Sequence, residues 1–528
     1  LPAARERAAE ILAQAPEEEL ELYLLFLVQA LRFERGGGGG GGGGGGEGSK
    51  GGAEGTGAGN GNNGDGDKDE TSSSPLARVL VSRAVASPRL ALALHWHLVV
   101  EFGDPTFGAR AAALHSRLRA ELKARAEEGV GGLEEGVGVG GGGSGGGSSS
   151  SPSPPSPPSP ASKRALAAAS AMAEQVAFVA RVRELAEALS GTRTAAAKGE
   201  KLRAALVAKA KAGGGGGGGG SGGGNGDGLV FVPSTSSPPS ATSPRVLLSP
   251  VDPSTALVRV RPERCAVFKS ALAPLLLSFD SVAVPGEEDD VGNEKGDGND
   301  GGGLLSAPSL VATAREALNA STSASSPRHH RGVGSGSGVS SSEGGGPSLP
   351  RNPIPPPALK RSDLIFKRGD DLRQDALVIS LLRVADATFK REGLDLKLTP
   401  YSVLPTSPTD GFIELVADAP PLSAVLQRHR TVSNYLRHVA PSPGSPGGIS
   451  PLAMDTYARS LAGWAAITYA LGVGDRHADN VLVARDGRVC HVDFGFILGR
   501  DPRPWGAPPL RLARELLEPL GWGGEEEV

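Results

Sequence analysis

Between Val481 and His491 the chain reads VLVARDGRVCH, two β-rich runs separated by Asp486-Gly487. An Asp-Gly pair in that setting is one of the strongest local signals for a tight antiparallel hairpin, and a hairpin fixes the register of everything beside it. With Asp486 and Gly487 as a two-residue turn, Arg485 opposes Arg488 and Asn480 opposes Asp493. Residues so opposed hold their β-carbons about 4.5–5.5 Å apart. A carboxamide oxygen and a carboxylate at that spacing, just ahead of Phe494-Gly495, suit Mg²⁺ held against nucleotide phosphates. The competing reading is a surface hairpin with a polar end.

The rest of the chain limits what can surround this hairpin. Of 528 residues, 79 are Gly and 42 Pro, and aromatic residues make up 4%, so much of the chain cannot pack into a core. The formal net charge of −4 argues against nucleic acid as a partner. Cys265 and Cys490 sit in apolar runs and read as buried thiols of a reducing compartment, not as a disulfide framework. No stretch of the sequence is a run of 18 or more apolar residues, so no transmembrane segment is expected. The sequence starts at Leu1 without a signal peptide and reads as a fragment.

Helical patterns fill residues 1–35, two helices broken at Ser87-Pro88 fill 76–102, and Ala-rich helices follow over 109–127 and 163–212. Within Glu18 to Phe33 the pattern is apolar nearly all round, which predicts burial. Low-complexity blocks interrupt these helices at 36–74 and 128–162. Loop closure costs little with length, so 1–212 reads as one all-α, solenoid-like domain with insertions, followed by a 213–246 linker. From residue 247 the period switches to two, and 247–528 reads as a second, α+β domain with an insertion at 284–357. Strands are expected over LLSPVDPSTALVRV, CAVFKSALAPLLLSFDSVAV, LIFK, KLTPYSVLPT and GFIELVAD. A helix from about Asp375 to Arg391 carries Leu377, Leu381, Val384, Ala385 and Phe389 on one face; another, Met454 to Leu471, carries Tyr457, Leu461, Trp464, Thr468 and Leu471.

Strand–turn–strand, a strand ending in Lys, a helix and two more strands is the element order of a kinase N-lobe. Lys367 ends its strand before Gly-Asp-Asp and suits nucleotide phosphates if an anion holds it; Asp375 is the candidate, although a solvated strand-end lysine would look the same. Ser270, in FKSALAP between two strands, offers a hydroxyl and nearby amides to phosphates, without any Gly-rich phosphate loop. His477, two residues after Asp475, has the pKa range for accepting a hydroxyl proton; Asp475 serves either as that base or to orient the loop, and Arg476 reads as structural.

The strings LIFKRGDDLRQDALV, LKLTPYSVL, GFIELV, ITYALGVGDRHADNVLV and HVDFGFILGRDP together resemble the phosphatidylinositol 3-kinase family, most closely its class III, vacuolar-protein-sorting type. Asp-Arg-His-x-x-Asn marks lipid kinases, whereas protein kinases carry His-Arg-Asp-x-x-x-x-Asn. The resemblance covers 250–280 and 360–520 well and extends weakly over ELELYLLFLVQALRFE and 76–102, which look like the family's accessory helical domain. It implies a two-lobed PI3/PI4-kinase-like catalytic domain using ATP with magnesium, or alternatively manganese. Lys367 then corresponds to the phosphate-binding lysine, Asp375 and Tyr401 to the inner nucleotide pocket, and Glu414, Leu415 and Val416 to the hinge that reads adenine. His477 corresponds to the proton acceptor, supported by Asp475, and Asn480 and Asp493 to the metal ligands.

The segment after Asp493 resembles the activation loop that meets the lipid head group. It carries Arg500, Arg503 and Arg511 without a Lys cluster, and Phe496 stands where class I relatives have His. Both features imply unmodified phosphatidylinositol, phosphorylated at the 3-hydroxyl. The resemblance also implies a regulatory kinase-like subunit and a beclin-type subunit, in the cytoplasm and peripherally on endosomal and autophagic membranes. Trp505-Gly506-Ala507 departs from the family's proline-rich stretch, and the C2 domain and the end of the C-lobe are not in the sequence. A phosphatidylinositol 4-kinase or related kinase, and a catalytically incomplete scaffold, are the rival readings.

Overall fold

A computed structural model describes residues 2–34, 74–128, 159–212, 247–284, 358–503, 510 and 512–521. The 213–246 linker, nearly all of the three expected insertions, Arg511 and Trp505-Gly506-Ala507 lie outside the described residues.

Prolines and serines set the helix boundaries. Pro16 divides α1 (Pro2–Gln14) from α2 (Glu17–Ala30). Ser74 and Ser87 cap α3 (Pro75–Ala86) and α4 (Pro88–Val99), their hydroxyls accepting the N–H of Ala77 and Leu90 at 3.2 Å. Proline at the first helical position costs no hydrogen bond, so the same Ser-Pro signal both stops one helix and starts the next. After α5 (Gly108–Glu127), Ser159 caps α6 (Pro160–Ser190), so helix begins inside the block expected to stay irregular to residue 162. α7 (Ala195–Ala212) follows. The all-round burial expected for Glu18 to Phe33 is not found: Leu20, Leu24, Val28 and Leu31 are buried, while Phe33 is 76% exposed.

β1 (Leu247–Leu248), β2 (Thr255–Val260), β3 (Ala266–Val267), β4 (Leu275–Ala283), β5 (Lys360–Arg368), β6 (Val403–Ser407) and β7 (Asp410–Glu414) form one antiparallel sheet. Its order is β1-β2-β4-β5-β7-β6, with β3 also paired to β4. Leu364 and Phe366 enter a core with Phe279 and Phe412, so the alternation of β5 turns Asp363, Ile365 and Lys367 to the opposite face. α6 joins the two halves of the molecule. Ala165, Ala168 and Met172 belong to the core of α2–α5, whereas Phe178, Val179 and Val182 pack on the sheet. By length and composition α6 alone among the described helices would pass for a membrane-crossing segment, but this stripe is used inside the protein.

α8 (Arg373–Arg391) departs from its expected face. Its buried residues are Asp375, Ala376, Val378, Ile379, Leu382 and Asp386; the expected stripe of Leu377, Leu381, Val384, Ala385 and Phe389 is only half-buried. The helix packs against both α2 and β6, so apolar side chains serve two sides and a one-face reading rotates it wrongly.

The C-lobe holds α9 (Leu422–His429), α10 (Val432–Val439), α11 (Pro451–Ala470), the hairpin of β8 (Val481–Val483) and β9 (Val489–His491), and α12 (Arg514–Leu517). Tyr457, Leu461, Trp464 and Thr468 of the expected α11 stripe are buried, while Leu471, just past the helix, is only half-buried. Trp464 stacks on His491 and Phe494, with centroids 5.0 and 6.1 Å away, which ties the hairpin and its following Phe-Gly to α11.

The hairpin itself corrects the expected register. Val481 opposes His491 and Val483 opposes Val489. Gly487 N–H donates to Ala484 O at 3.1 Å and Ala484 N–H to Arg488 O at 2.8 Å, so the turn has three residues, closed by Gly487 at φ +92°. That is the turn-plus-bulge solution, in which glycine takes the left-handed position. Asn480 therefore faces Val492, whose N–H reaches Asn480 O at 3.0 Å, and is not the cross-strand partner of Asp493.

Candidate active site

The cleft between sheet and C-lobe is built along β5. At one end Leu415 N–H donates to Asp363 O at 3.0 Å, and Glu414 closes on Ser402 through both its N–H (2.8 Å) and its carboxylate (2.9 Å). Val416 N–H has no protein acceptor among the described residues, and Val416 lines the cleft. A cavity of about 530 Å³ runs here, lined by Glu414, Leu415, Val416, Tyr401, Asp363 and Cys490. Lys367 is four residues further along β5, about 13 Å away at strand rise. Lys367 and its acidic neighbours therefore lie beyond one end of this cavity.

There Lys367 Nζ bonds Asp370 Oδ2 at 3.0 Å. Asp370, not Asp375, is the anion that holds the lysine, and the Gly-Asp-Asp after the strand was the signal for it. Burial works against the ammonium, but the bond to Asp370 and the nearby Asp493 and Asp375 outweigh it and raise its pKa. Asp375 is buried and instead accepts Phe494 N–H at 3.1 Å, while its neighbour Gln374 donates to Phe494 O at 2.6 Å. Burial pushes the Asp375 carboxyl up to about 6, against the pull of that bond and of Lys367. Tyr401 is buried beside Cys490, in the field of Asp375, Arg476 and Asp493, and its phenol is raised by that burial. Cys265 and Cys490 are both buried free thiols. The loop carrying Ser270 turns tightly, with Ala273 N–H on Ser270 O at 3.0 Å, and its Leu272 lies over Gly369, beside Lys367. Ser270 itself is exposed.

On the C-lobe side Arg476 organises the loop. Its buried guanidinium donates to Gly474 O (2.8 Å), Val492 O (2.9 Å) and Asp493 O, and lies over the Phe494 ring. The Val492 and Asp493 carbonyls thus tie the loop to the chain entering Phe494-Gly495, while Gly474 O braces Arg476 within its own loop. Asn480 Nδ2 donates to Asp475 O at 2.9 Å, which leaves its Oδ1 as a free acceptor; Asp493, at φ +62°, is exposed. Each is tied to the Asp475–Arg476 segment, Asn480 through its side-chain amide and Asp493 through its backbone carbonyl, and they are not cross-strand partners in the ladder. A free amide oxygen and an exposed carboxylate are the donor chemistry a hard divalent cation takes, so the residues fit that ion.

His477 is 46% exposed on its side chain. Its Nδ1 accepts Asp479 N–H at 3.2 Å, with the Asp479 carboxylate 3.9 Å away, and its Nε2 is 4.0 Å from Asp475 Oδ2. Asp501 was missed by sequence reasoning: its Oδ2 accepts Asp475 N–H at 2.9 Å and its Oδ1 accepts Arg503 N–H at 2.8 Å. Gly472 and Gly474 allow this close approach, since a Cβ on Gly474 would lie 2.2 Å from Arg500 O. Arg500 and Arg503 are exposed beyond this seam.

Comparison with known proteins agrees with this architecture. Residues 361–528 match the phosphatidylinositol 3- and 4-kinase family, and residues 2–130 match the accessory domain of the phosphoinositide 3-kinase family. The phosphatidylinositol 3-kinase VPS34 of Arabidopsis thaliana is 48% identical over 164 residues, 31% of this chain and 20% of its own length. The phosphatidylinositol 3-kinase pik3 of Schizosaccharomyces pombe is 48% identical over 161 residues, 30% of this chain and 20% of its own. The root isoform of phosphatidylinositol 3-kinase from Glycine max is 28% identical over 524 residues, 99% of this chain and 44% of its own. The chain thus spans less than half the length of each of these relatives. It therefore carries a catalytic domain of the phosphatidylinositol 3- and 4-kinase type behind a phosphoinositide 3-kinase accessory domain.

Proposed function

We propose that this chain transfers the γ-phosphoryl group of ATP to the 3-hydroxyl of phosphatidylinositol. The observation that supports the reading is the loop stapled by Arg476: it carries the His477 imidazole, exposed and flanked by two carboxylates, on the same segment as Asn480, and Arg476 itself bonds Asp493 O. Val416 N–H takes the adenine edge, and Lys367 exchanges Asp370 for a phosphate. Asn480 Oδ1 and Asp493 would hold the magnesium ion, which would supply positive charge against the phosphates. Once the His477 ring gives up Asp479 N–H and carries its proton on Nδ1, toward the Asp479 carboxylate 3.9 Å away, Nε2 is free to take the proton of the attacking hydroxyl. The imidazolium then sits between Asp475 and Asp479, each about one hydrogen-bond length plus 1 Å away and within reach of small side-chain rotations. Arg500 and Arg503 face the head group, and their small number suits a lipid without extra phosphates. By resemblance, the kinase-like and beclin-type subunits are its partners on endosomal and autophagic membranes.

The test is an assay of the chain on phosphatidylinositol vesicles with Mg·ATP, with the product deacylated and separated by position. A 3-phosphate is expected. A 4-phosphate, or preference for a bisphosphorylated lipid, overturns the reading; absence of any thermal shift with Mg·ATP favours the scaffold.

A further inference from the structure

A second cavity, of about 340 Å³, lies between α2 and α4 of the accessory helices on one side and α8, β6 and the turn after β1 on the other. Its volume falls at the small end of ligand pockets. Leu22, Leu25, Leu92, Ile379 and Leu404 give it apolar walls, and Trp96 closes it with its indole N–H already committed to Gln175 at 2.8 Å.

Its polar groups do not cancel. Arg89 and Glu21 pair at 2.7 Å, which leaves Arg89 Nε buried without a partner. Glu18 is exposed, at the rim. Arg383 is half-buried, donates to the neutral Ser402 Oγ at 2.7 Å, and has no carboxylate within ion-pair distance among the described residues. Burial holds the Glu21 carboxyl above its ordinary value, against the pull of Arg89 and then of Arg383. Burial and the Arg383 charge hold His97 at about 4, so its ring is neutral at pH 7 and adds no cation. What remains is one uncompensated guanidinium at the edge of an apolar chamber, together with one free N–H donor. A guanidinium in that setting is best matched by a carboxylate, bound through two parallel hydrogen bonds.

We infer that this cavity is a binding site for a small amphipathic carboxylic acid, its apolar body between Leu22, Ile379 and Leu404 and its carboxylate on Arg383. The site is independent of the phosphoryl-transfer reading. It bears on the same helix, α8, whose first turn holds Phe494 through Gln374 and Asp375.

The test is calorimetric titration of the whole chain with 4-phenylbutyrate and, separately, with the neutral 4-phenylbutanamide. The expected result is saturable 1:1 binding of the acid and at least about ten-fold weaker binding of the amide, the free-energy difference of one charge-assisted bond. Arg383→Met weakens the acid by a similar factor and leaves the amide unchanged. Ile379→Trp, which fills the chamber, abolishes both. Circular dichroism of each variant checks that it is folded, and Ile379→Val serves as the milder control, binding as the parent does. No binding to the parent chain, equal binding of acid and amide, or binding that survives Ile379→Trp each overturns the inference.

Discussion

Asp375 is the residue whose ionisation most clearly matters to stability. In the folded chain it titrates at about 6 against a model-compound 3.8, chiefly because burial disfavours the charged form. A carboxyl raised by folding contributes its stabilisation only below its unfolded value, and loses it as pH climbs through the folded value. Above pH 6 the charged, buried carboxylate is therefore a standing cost, on the order of 3 kcal/mol at most. Asp375→Asn, which retains an oxygen for Phe494 N–H, should be more stable than the parent at pH 7.5 and indistinguishable from it near pH 4. Thermal denaturation from pH 4 to 8 checks this; a difference that does not change with pH rules out the linkage. His477 behaves oppositely. It is half-exposed, and no fold contact depends on its ring beyond the Asp479 amide. His477→Ala should leave stability within about 0.5 kcal/mol and lower kcat by roughly 10²–10⁴-fold. Nucleotide binding by thermal shift should be unchanged; weakened binding would move the residue from proton transfer to nucleotide contact.

At the level of elements, the seam between 471–475 and 496–501 decides whether the loop is in place. Leu498 N–H reaches Leu471 O at 2.8 Å, Gly499 N–H reaches Gly472 O at 2.9 Å, and Gly474 N–H reaches Phe496 O at 2.9 Å. A Cβ on Gly474 meets Arg500 O and, 3.0 Å away, Asp501 Oδ2, and neither is a flexible side-chain end free to leave. Gly474→Ala should part this seam, speed amide exchange at Gly499 and Asp475, and cost on the order of 100-fold in kcat, the scale of an ångström's misplacement. Unaltered exchange with lost activity would place the fault elsewhere. Much of this level was legible: the Ser87-Pro88 boundary, alternating strands, most of the α11 stripe and the existence of the β8–β9 hairpin all follow from local chemistry. What was not legible arose where two partners compete for one element. Asp-Gly signals a hairpin but does not choose between a two- and a three-residue turn, and Ala453 O, 2.2 Å from a Cβ on Gly487, helps decide it from outside the hairpin. α8 was misread because a helix packed on two sides has no single stripe. Lys367 found Asp370 and not Asp375 because the turn at Gly369, φ +82°, folds the nearer acid back.

For the whole molecule, the question is whether accessory helices and kinase sheet are separable. α6 argues that they are not. Its first half is part of the core of α2–α5 and its second half part of the sheet's core, and Arg183 on the same helix grips Asp410 with two hydrogen bonds of 2.7 Å at the β6–β7 turn. Phe178 is fully buried where these meet, stacked on Phe412 with centroids 5.6 Å apart and edge-on to Phe279 at 6.1 Å. Truncating a ring in such a site removes its transfer energy and leaves a cavity, together about 3–5 kcal/mol. Because the helix is continuous across both cores, that loss should be felt by both. Phe178→Ala should lower the midpoint of a single calorimetric transition, with accessory-helix and kinase-sheet probes moving together. Two transitions in the parent chain, or a variant in which only the sheet melts earlier, would mean that the helices fold as a unit of their own and that α6 is merely their boundary.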